Sequence, residues 1–186
     1  MAGIAARAQG WNGNDVFVGG GGNLPSATLG PPLAVMAAML LALPARGIVV
    51  RRRSRWYRSA PVPASDQPTY INAVVEVETR MDAAALLEAL HGVEADFGRA
   101  RGGPNAARVL DLDLLAFGGS VVQGEAGLFL PHPRMHLRAF VLKPLAELAP
   151  LWRHPLLGLT TTQLLAALLP EQWAEPLDEC TDEAVD

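Results

Sequence analysis

From Arg108 to Leu115 the chain alternates acid and leucine, and a period of two predicts a strand with one buried face. Leu110, Leu112 and Leu114 then point into a core, while Asp111 and Asp113 project together from the opposite face. Residues 70–79 alternate in the same way, with Ile71, Ala73, Val75 and Val77 on one side. Val16, Phe17 and Val18 predict a short strand that runs into a turn of glycines, Gly19 to Gly22. One further strand is expected over 48–57. Leu86, Leu90, Val93 and Phe97 recur at helical spacing, so the pattern predicts a helix over 83–97, with Asp82 as N-cap and Gly98 as stop. The apolar run 33–43, opened by Pro31 and Pro32, reads as a buried helix. A hairpin over 117–123 with Gly118 and Gly119 at its turn and a last helix over 161–168 complete the elements.

Strands and helices interleave without βαβ regularity, which favours an α+β fold with a mainly antiparallel sheet and helices packed on it. A chain of 186 residues, half of them hydrophobic, suits one core. That core is expected over 16–174, between a flexible extension at 1–15 and an acidic, disordered tail at 175–186. The run 33–43 is too short to span a bilayer, which takes about 20 apolar residues, so no membrane partner is expected. The lone cysteine, Cys180, suits a reducing cytoplasm and excludes a cysteine-based zinc site. A net charge of −4 argues against nucleic acid as the main partner.

The chemistry gathers in clusters. Carboxylates at i and i+2 of a strand stand about 6.5–7 Å apart, and their repulsion invites a cation between them. Mg²⁺ suits the place, because it takes one or two carboxylates and completes its shell with water and phosphate oxygens. A solvated strand face is the plainer account of the same two residues. Before them lies a loop with Arg99, Arg101 and Arg108 around Gly102, Gly103 and Pro104. Guanidinium forks suit phosphates, and glycines let a loop close over a nucleotide, although loop arginines are also ordinary solvated surface. Further on, His132 and His136 have the spacing of a helical metal pair, but Pro133 disfavours helix at His132 and no Glu stands between them. Polar contacts from His132 and Arg138 to a nucleotide are the better reading. Tyr70 beside Asn72 offers a stacking face and an amide edge for a flat heterocycle, or else a surface Tyr at a strand start. Arg51, Arg52, Arg53 and Arg55 read as a solvated strand face before they read as a nucleic-acid patch.

Taken in order, Gly21-Gly22-Asn23-Leu24, Tyr57-Arg58-Ser59-Ala60-Pro61, Asp66-Gln67-Pro68 with Tyr70-Ile71-Asn72, the segment Arg108 to Leu115, and Pro131-His132-Pro133-Arg134 with Arg138-Ala139-Phe140 resemble the 6-hydroxymethyl-7,8-dihydropterin pyrophosphokinase family. The resemblance covers the chain from about Val16 to the last helix. It implies α-β-α layers of ferredoxin-like type and a monomer that moves the terminal pyrophosphoryl group of ATP to the pterin hydroxymethyl oxygen, releasing AMP. It implies that Asp111 and Asp113 hold two Mg²⁺ ions and that Arg99 and Arg108 stabilise the transferring group. Glu94, Arg101, Leu114, His132 and Arg138 match ATP contacts. Tyr70 and Phe140 match an aromatic pair that sandwiches the pterin, Asn72 reads its edge, and Gly21, Ser59 and Pro61 line its pocket. The chain departs from the family at Gly22, where a Ser is usual, and at Gly127 and Phe129, where some relatives place polar ATP contacts. A non-catalytic α+β ligand-binding or regulatory module, and an RNA-binding ferredoxin-like domain using Arg51 to Arg55, are the alternatives.

Overall fold

The computed structural model describes residues 14–98, 107–125 and 127–177. Its elements in chain order are β1 (Val16–Gly22), α1 (Pro32–Ala42), β2 (Val49–Arg53), β3 (Tyr57–Ser59), β4 (Tyr70–Glu78), α2 (Ala83–Asp96), β5 (Asp111–Phe117), β6 (Val122–Glu125), β7 (Leu128–Leu130), α3 (Ala139–Leu148), α4 (Thr161–Ala166) and β8 (Ala174–Pro176). The main sheet runs β5-β1-β4-β3-β8, with β2 also paired to β4, and its strand pairs are antiparallel. Helix α1 carries the chain from β1 across β4 to β2, and α2 carries it from β4 across β1 to β5. These two crossovers are the split βαβ units of a ferredoxin-like layer.

Each face of the sheet has its own core. On one face Val18, Val75, Val77, Leu110, Leu112 and Leu114 pack against Val35, Met36 and Met39 of α1 and Leu86, Leu90 and Val93 of α2. On the other, Phe17, Val74 and Leu115 meet Val141, Leu145 and Leu148 of α3, and Trp152 closes edge-on over Phe17 with ring centroids 6.0 Å apart. The alternation of the acidic strand therefore holds: its leucines enter the first core, and Asp111 and Asp113 face the α3 side. Asp82 caps α2 by accepting the Ala85 N–H at 2.8 Å, and Gly98 ends the helix at φ 80°.

Several expectations are corrected. The glycines are no turn; Gly19 to Gly22 continue β1 through the middle of the sheet. A side chain on Gly20 would crowd Met36 and Met39, and one on Gly22 would meet the Val109 carbonyl at 2.3 Å. The glycines thus serve close approach, and at Gly22 this leaves no room for a side chain without a backbone shift. The strand expected over 48–57 is two; at Ser54 the N–H still reaches the Val74 carbonyl, but the Val74 N–H turns to the Ser54 hydroxyl. The helix α1 is half-buried, with Leu41 on its exposed side. Gly118 and Gly119 turn the chain, yet β6 pairs with β7 and not with β5. Disorder expected from Glu175 gives way to β8, which pairs with β3, and the Leu177 N–H reaches the Trp56 carbonyl at 2.8 Å. Among the described residues no helix is long and apolar enough to cross a membrane.

The basic run is engaged by acids. Arg51 pairs with Glu78, Arg52 with Glu76, and Arg55 with Glu147, while Arg53 lies over the Trp56 ring at 4.2 Å. This is the solvated, internally balanced strand face and not a nucleic-acid stripe.

Two predictions concern the cores. Leu90→Ala, at a fully buried site between α2 and the sheet, is expected to cost about 2–5 kcal/mol of stability, measured by urea unfolding. His154 is buried beside His136 with ring centroids 5.5 Å apart, and burial followed by the His136 charge pulls its pKa down to about 4. The unfolded imidazole takes its proton near its ordinary value, so unfolding is favoured progressively as pH falls from about 6.5 towards 4. The urea midpoint should drop across that window in the wild type and drop less in His154→Leu.

Candidate active site

Gly21 stands in register between Asn72 on β4 and Asp111 on β5. Strand alternation then sets Gly19, Gly21, Tyr70, Asn72, Asp111 and Asp113 on one face, beyond the end of the α3 core. With no side chains on the two glycines, the sheet surface is hollow there. A cavity of about 230 Å³ fills the hollow, floored by the glycines and walled by Tyr70, Asn72, Phe140 and the 61–67 loop.

The polar groups of this cavity are held before any ligand enters. The Asn72 amide, 5 % exposed, donates to the Ser59 hydroxyl at 2.9 Å, which fixes its plane. Its Oδ1 is aimed over Gly21, where a Cβ would lie only 2.9 Å away. The Tyr70 hydroxyl donates to Gln67 Oε1 at 2.9 Å, which orients the ring, and burial holds its pKa above the ordinary value. Across the cavity Arg138 lies over the Phe140 ring at 5.2 Å.

A second cavity lies on the other side of the acidic strand. Leu87 and His91 of α2, Leu114, Leu128, Phe129 and His132 line it. Arg108, Asp111 and Asp113 line both cavities and form their shared wall. Arg108 and Asp111 make an ion pair. Asp113 is less well compensated, since His132 Nε2 and Arg138 Nη1 stand off at 3.8 and 3.9 Å. Burial, and then the Asp111 charge, raise the Asp113 pKa. Burial outweighs the Asp113 charge at His132 and lowers the imidazole pKa, so its neutral form is favoured.

The candidates divide as follows. Gly21, Ser59, Pro61, Tyr70, Asn72 and Phe140, the expected pterin set, all line the first cavity. Leu114 and His132 line the second, with Gly127 and Phe129. Arg138, grouped with the nucleotide contacts, lines the first cavity instead. Glu94 is fully buried and lines neither; its carboxylate accepts the Leu112 N–H at 2.8 Å and braces the acidic strand from below. Arg99 and Arg101 lie outside the described residues. His132 and His136 do not form a metal pair, because the single 3₁₀ turn Met135–Leu137 sends His136 onto His154 while His132 Nδ1 accepts the Arg134 N–H. Gln67 and Arg134, quoted among the motifs but given no role, line the first cavity, and Leu87 and His91, which the sequence reading passed over, line the second. Leu87 and His91 carried a legible signal, an i, i+4 pair on one side of a predicted helix.

A family model described as 7,8-dihydro-6-hydroxymethylpterin-pyrophosphokinase matches residues 17–150. The chain belongs to this family. Among curated relatives, the 2-amino-4-hydroxy-6-hydroxymethyldihydropteridine pyrophosphokinase of Synechocystis sp. is 43% identical over 150 residues, covering 80% of this chain and 73% of that protein. The protein of the same name from Methylorubrum extorquens is 41% identical over 125 residues, or 67% of this chain and 78% of its own. That of Pseudomonas aeruginosa is 42% identical over 111 residues, or 60% of this chain and 67% of its own. The family match spans both cavities and their shared wall, from β1 through α3.

Proposed function

We propose that this chain transfers the terminal pyrophosphoryl group of ATP to the hydroxymethyl oxygen of 6-hydroxymethyl-7,8-dihydropterin, releasing AMP, in the synthesis of folate. The observation that carries this reading is the shared wall: Asp111 and Asp113 front two cavities of different character. The first pairs aromatic faces with a fixed amide, which suits a flat heterocycle rich in hydrogen-bonding edges. The second combines apolar walls with Arg108, His91 and His132, which suits a nucleotide. A reaction between a pterin hydroxyl and a polyphosphate chain belongs where the two meet.

Asp111 and Asp113 fit Mg²⁺. They are hard oxygen donors on alternate outward positions of one strand, and among the described residues His132 and Arg138 face the Asp113 carboxyl at a distance. Mg²⁺ needs only one or two carboxylates and takes the rest of its shell from water and phosphate. When bound, Mg²⁺ neutralises polyphosphate charge and eases ionisation of the hydroxyl. Transfer is direct: the pterin oxygen bonds to the β-phosphorus, the bridge to the α-phosphate breaks, and AMP leaves as the hydroxyl proton is lost. The protein contributes position and charge, the main requirements of phosphoryl chemistry.

In this reading Tyr70 and Phe140 stack on the pterin, Asn72 reads its edge, and Gly21, Ser59 and Pro61 complete that pocket. Arg108 steers the phosphates, together with Arg99 and Arg101 earlier in the chain, and Leu114 and His132 serve the nucleotide. Arg138 bridges the two sides from the pterin cavity, and Glu94 acts on the site through the backbone of Leu112. The enzyme works as a monomer in the cytoplasm, a reading supported by residues of one chain lining both cavities and by an ATP-dependent reaction.

The decisive assay supplies ATP, Mg²⁺ and 6-hydroxymethyl-7,8-dihydropterin and separates AMP from ADP. Pterin-dependent AMP is expected, and ADP or no turnover would reject the transfer. Asp111→Ala and Asp113→Ala should each lower turnover by about 100-fold or more while leaving pterin binding within a few-fold of wild type, measured by fluorescence titration. Tyr70→Ala should act in the opposite sense, weakening pterin binding by about tenfold; unchanged affinity would reject the sandwich.

A further inference from the structure

Asn23 sits at the exit of β1, 2 % exposed, and lines neither cavity. Its side chain nevertheless joins their components. Asn23 Oδ1 accepts the Arg108 N–H at 2.9 Å. Asn23 Nδ2 donates to Gln67 Oε1 and to the Pro68 carbonyl, each at 3.2 Å. The orientation of the amide follows from chemistry, since a backbone N–H needs an acceptor and a carbonyl needs a donor. Gln67 Oε1 also accepts the Tyr70 hydroxyl, and Arg108 is paired with Asp111. A continuous polar path therefore runs from the Tyr70 ring through Gln67, Asn23 and Arg108 to the acidic strand.

We propose that Asn23 is a positioning residue that holds the pterin-side loop and Arg108 in one frame, with its amide donors setting Gln67 and Tyr70 and its carbonyl setting Arg108. The inference rests on the pyrophosphokinase reading and extends it to a residue with no access to either substrate. Its chemistry is specific. A carboxylate at this position keeps the acceptor and loses both donors, a methyl group loses all three bonds, and a hydroxyl is too short to serve both sides. Burial makes the loss count, because an amide hydrogen bond inside a protein has no water to replace it.

The test separates the two halves of the claim. Asn23→Asp should raise the pterin Kd by about tenfold, the scale of one to two buried hydrogen bonds, while kcat at saturating substrates stays within about threefold. Asn23→Ala should show the same loss of pterin affinity and a further fall in kcat of about tenfold, as Arg108 loses its anchor. Asn23→Ser, neutral and smaller, replaces either variant if it does not fold, and should lose both properties. Adding Gln67→Leu to Asn23→Asp should weaken pterin binding less than the product of the single effects, because both act through one bond. Pterin affinity within twofold of wild type, multiplicative effects in the double variant, or a lowered Tm with kcat and Kd unchanged would overturn the proposal. A wild-type enzyme that makes AMP isolates this failure from the pyrophosphokinase reading; a wild type that binds no pterin overturns both.

Discussion

The two cores and the first cavity are arranged around a central strand whose second half, Gly19 to Gly22, carries no side chains. Strand β1 lies between β4 and β5, and from Gly19 to Gly22 it presents bare backbone to both faces of the sheet. On one face the bareness is used for packing: Met36, Met39 and Leu112 close over Gly20, and the Val109 carbonyl comes down onto Gly22. On the other face Gly19 and Gly21 leave a hollow between Asn72 and Asp111 that neither α3 nor the 61–67 loop fills. A strand of ordinary residues in this place would push α1 outward and fill the hollow. The first core and the first cavity are therefore two consequences of one stretch of chain.

The hollow brings a charge problem with it. Strand alternation puts both aspartates on the open face, and the sheet withdraws them partly from water. Arg108 answers Asp111 directly, while among the described residues Asp113 is met at a distance by Arg138 and His132, the latter held towards its neutral form by burial. Of the two carboxylates, Asp113 is thus the less directly paired by the described residues where the two cavities meet. A closely paired Asp113 would be less available for the cation role proposed for it. Its raised pKa marks a stability cost at a candidate site position, the kind of local conflict that working sites retain.

Much of this could be read from the chain because it depends on period and on local chemistry. The acid–leucine alternation gave the strand, its buried face and the shared direction of Asp111 and Asp113; Asp82 and Gly98 marked the ends of α2. The grouping of Tyr70, Asn72 and Phe140 in one cavity came from the family resemblance rather than from spacing, since only the fold brings α3 against β4. What stayed hidden depended on neighbours. The glycines looked like a turn because local propensity cannot see that Met36 and Val109 need the space. The bond from the Leu112 N–H to Glu94 was hidden too, because nothing local reveals that β5 runs beside this carboxylate. The acidic tail looked featureless at Glu175, yet the edge of β3 gives Ala174–Pro176 a partner. Arg51 to Arg55 read correctly as a solvated face, but their individual acids, drawn from β4 and α3, belong to the tertiary fold.

The same distinction explains why the proposed reaction uses so little specialised chemistry. A pyrophosphoryl transfer asks for two substrates held in line and for negative charge to be neutralised, and it does not require a covalent intermediate. A split βαβ sheet meets the first demand with the end of one strand, since β5 is exposed to the first cavity on one side and to the second beside α2 on the other. The charge demand is met by the same strand, because alternation supplies its carboxylates in pairs. Specificity then has to come from the parts that frame the strand: the Ser59–Asn72 pair that fixes an amide edge, the aromatic faces of Tyr70 and Phe140, and the Asn23 amide that ties their loop to Arg108. In the proposed reaction the strand is the meeting point for phosphate and hydroxyl, and the residues that frame it select the hydroxyl.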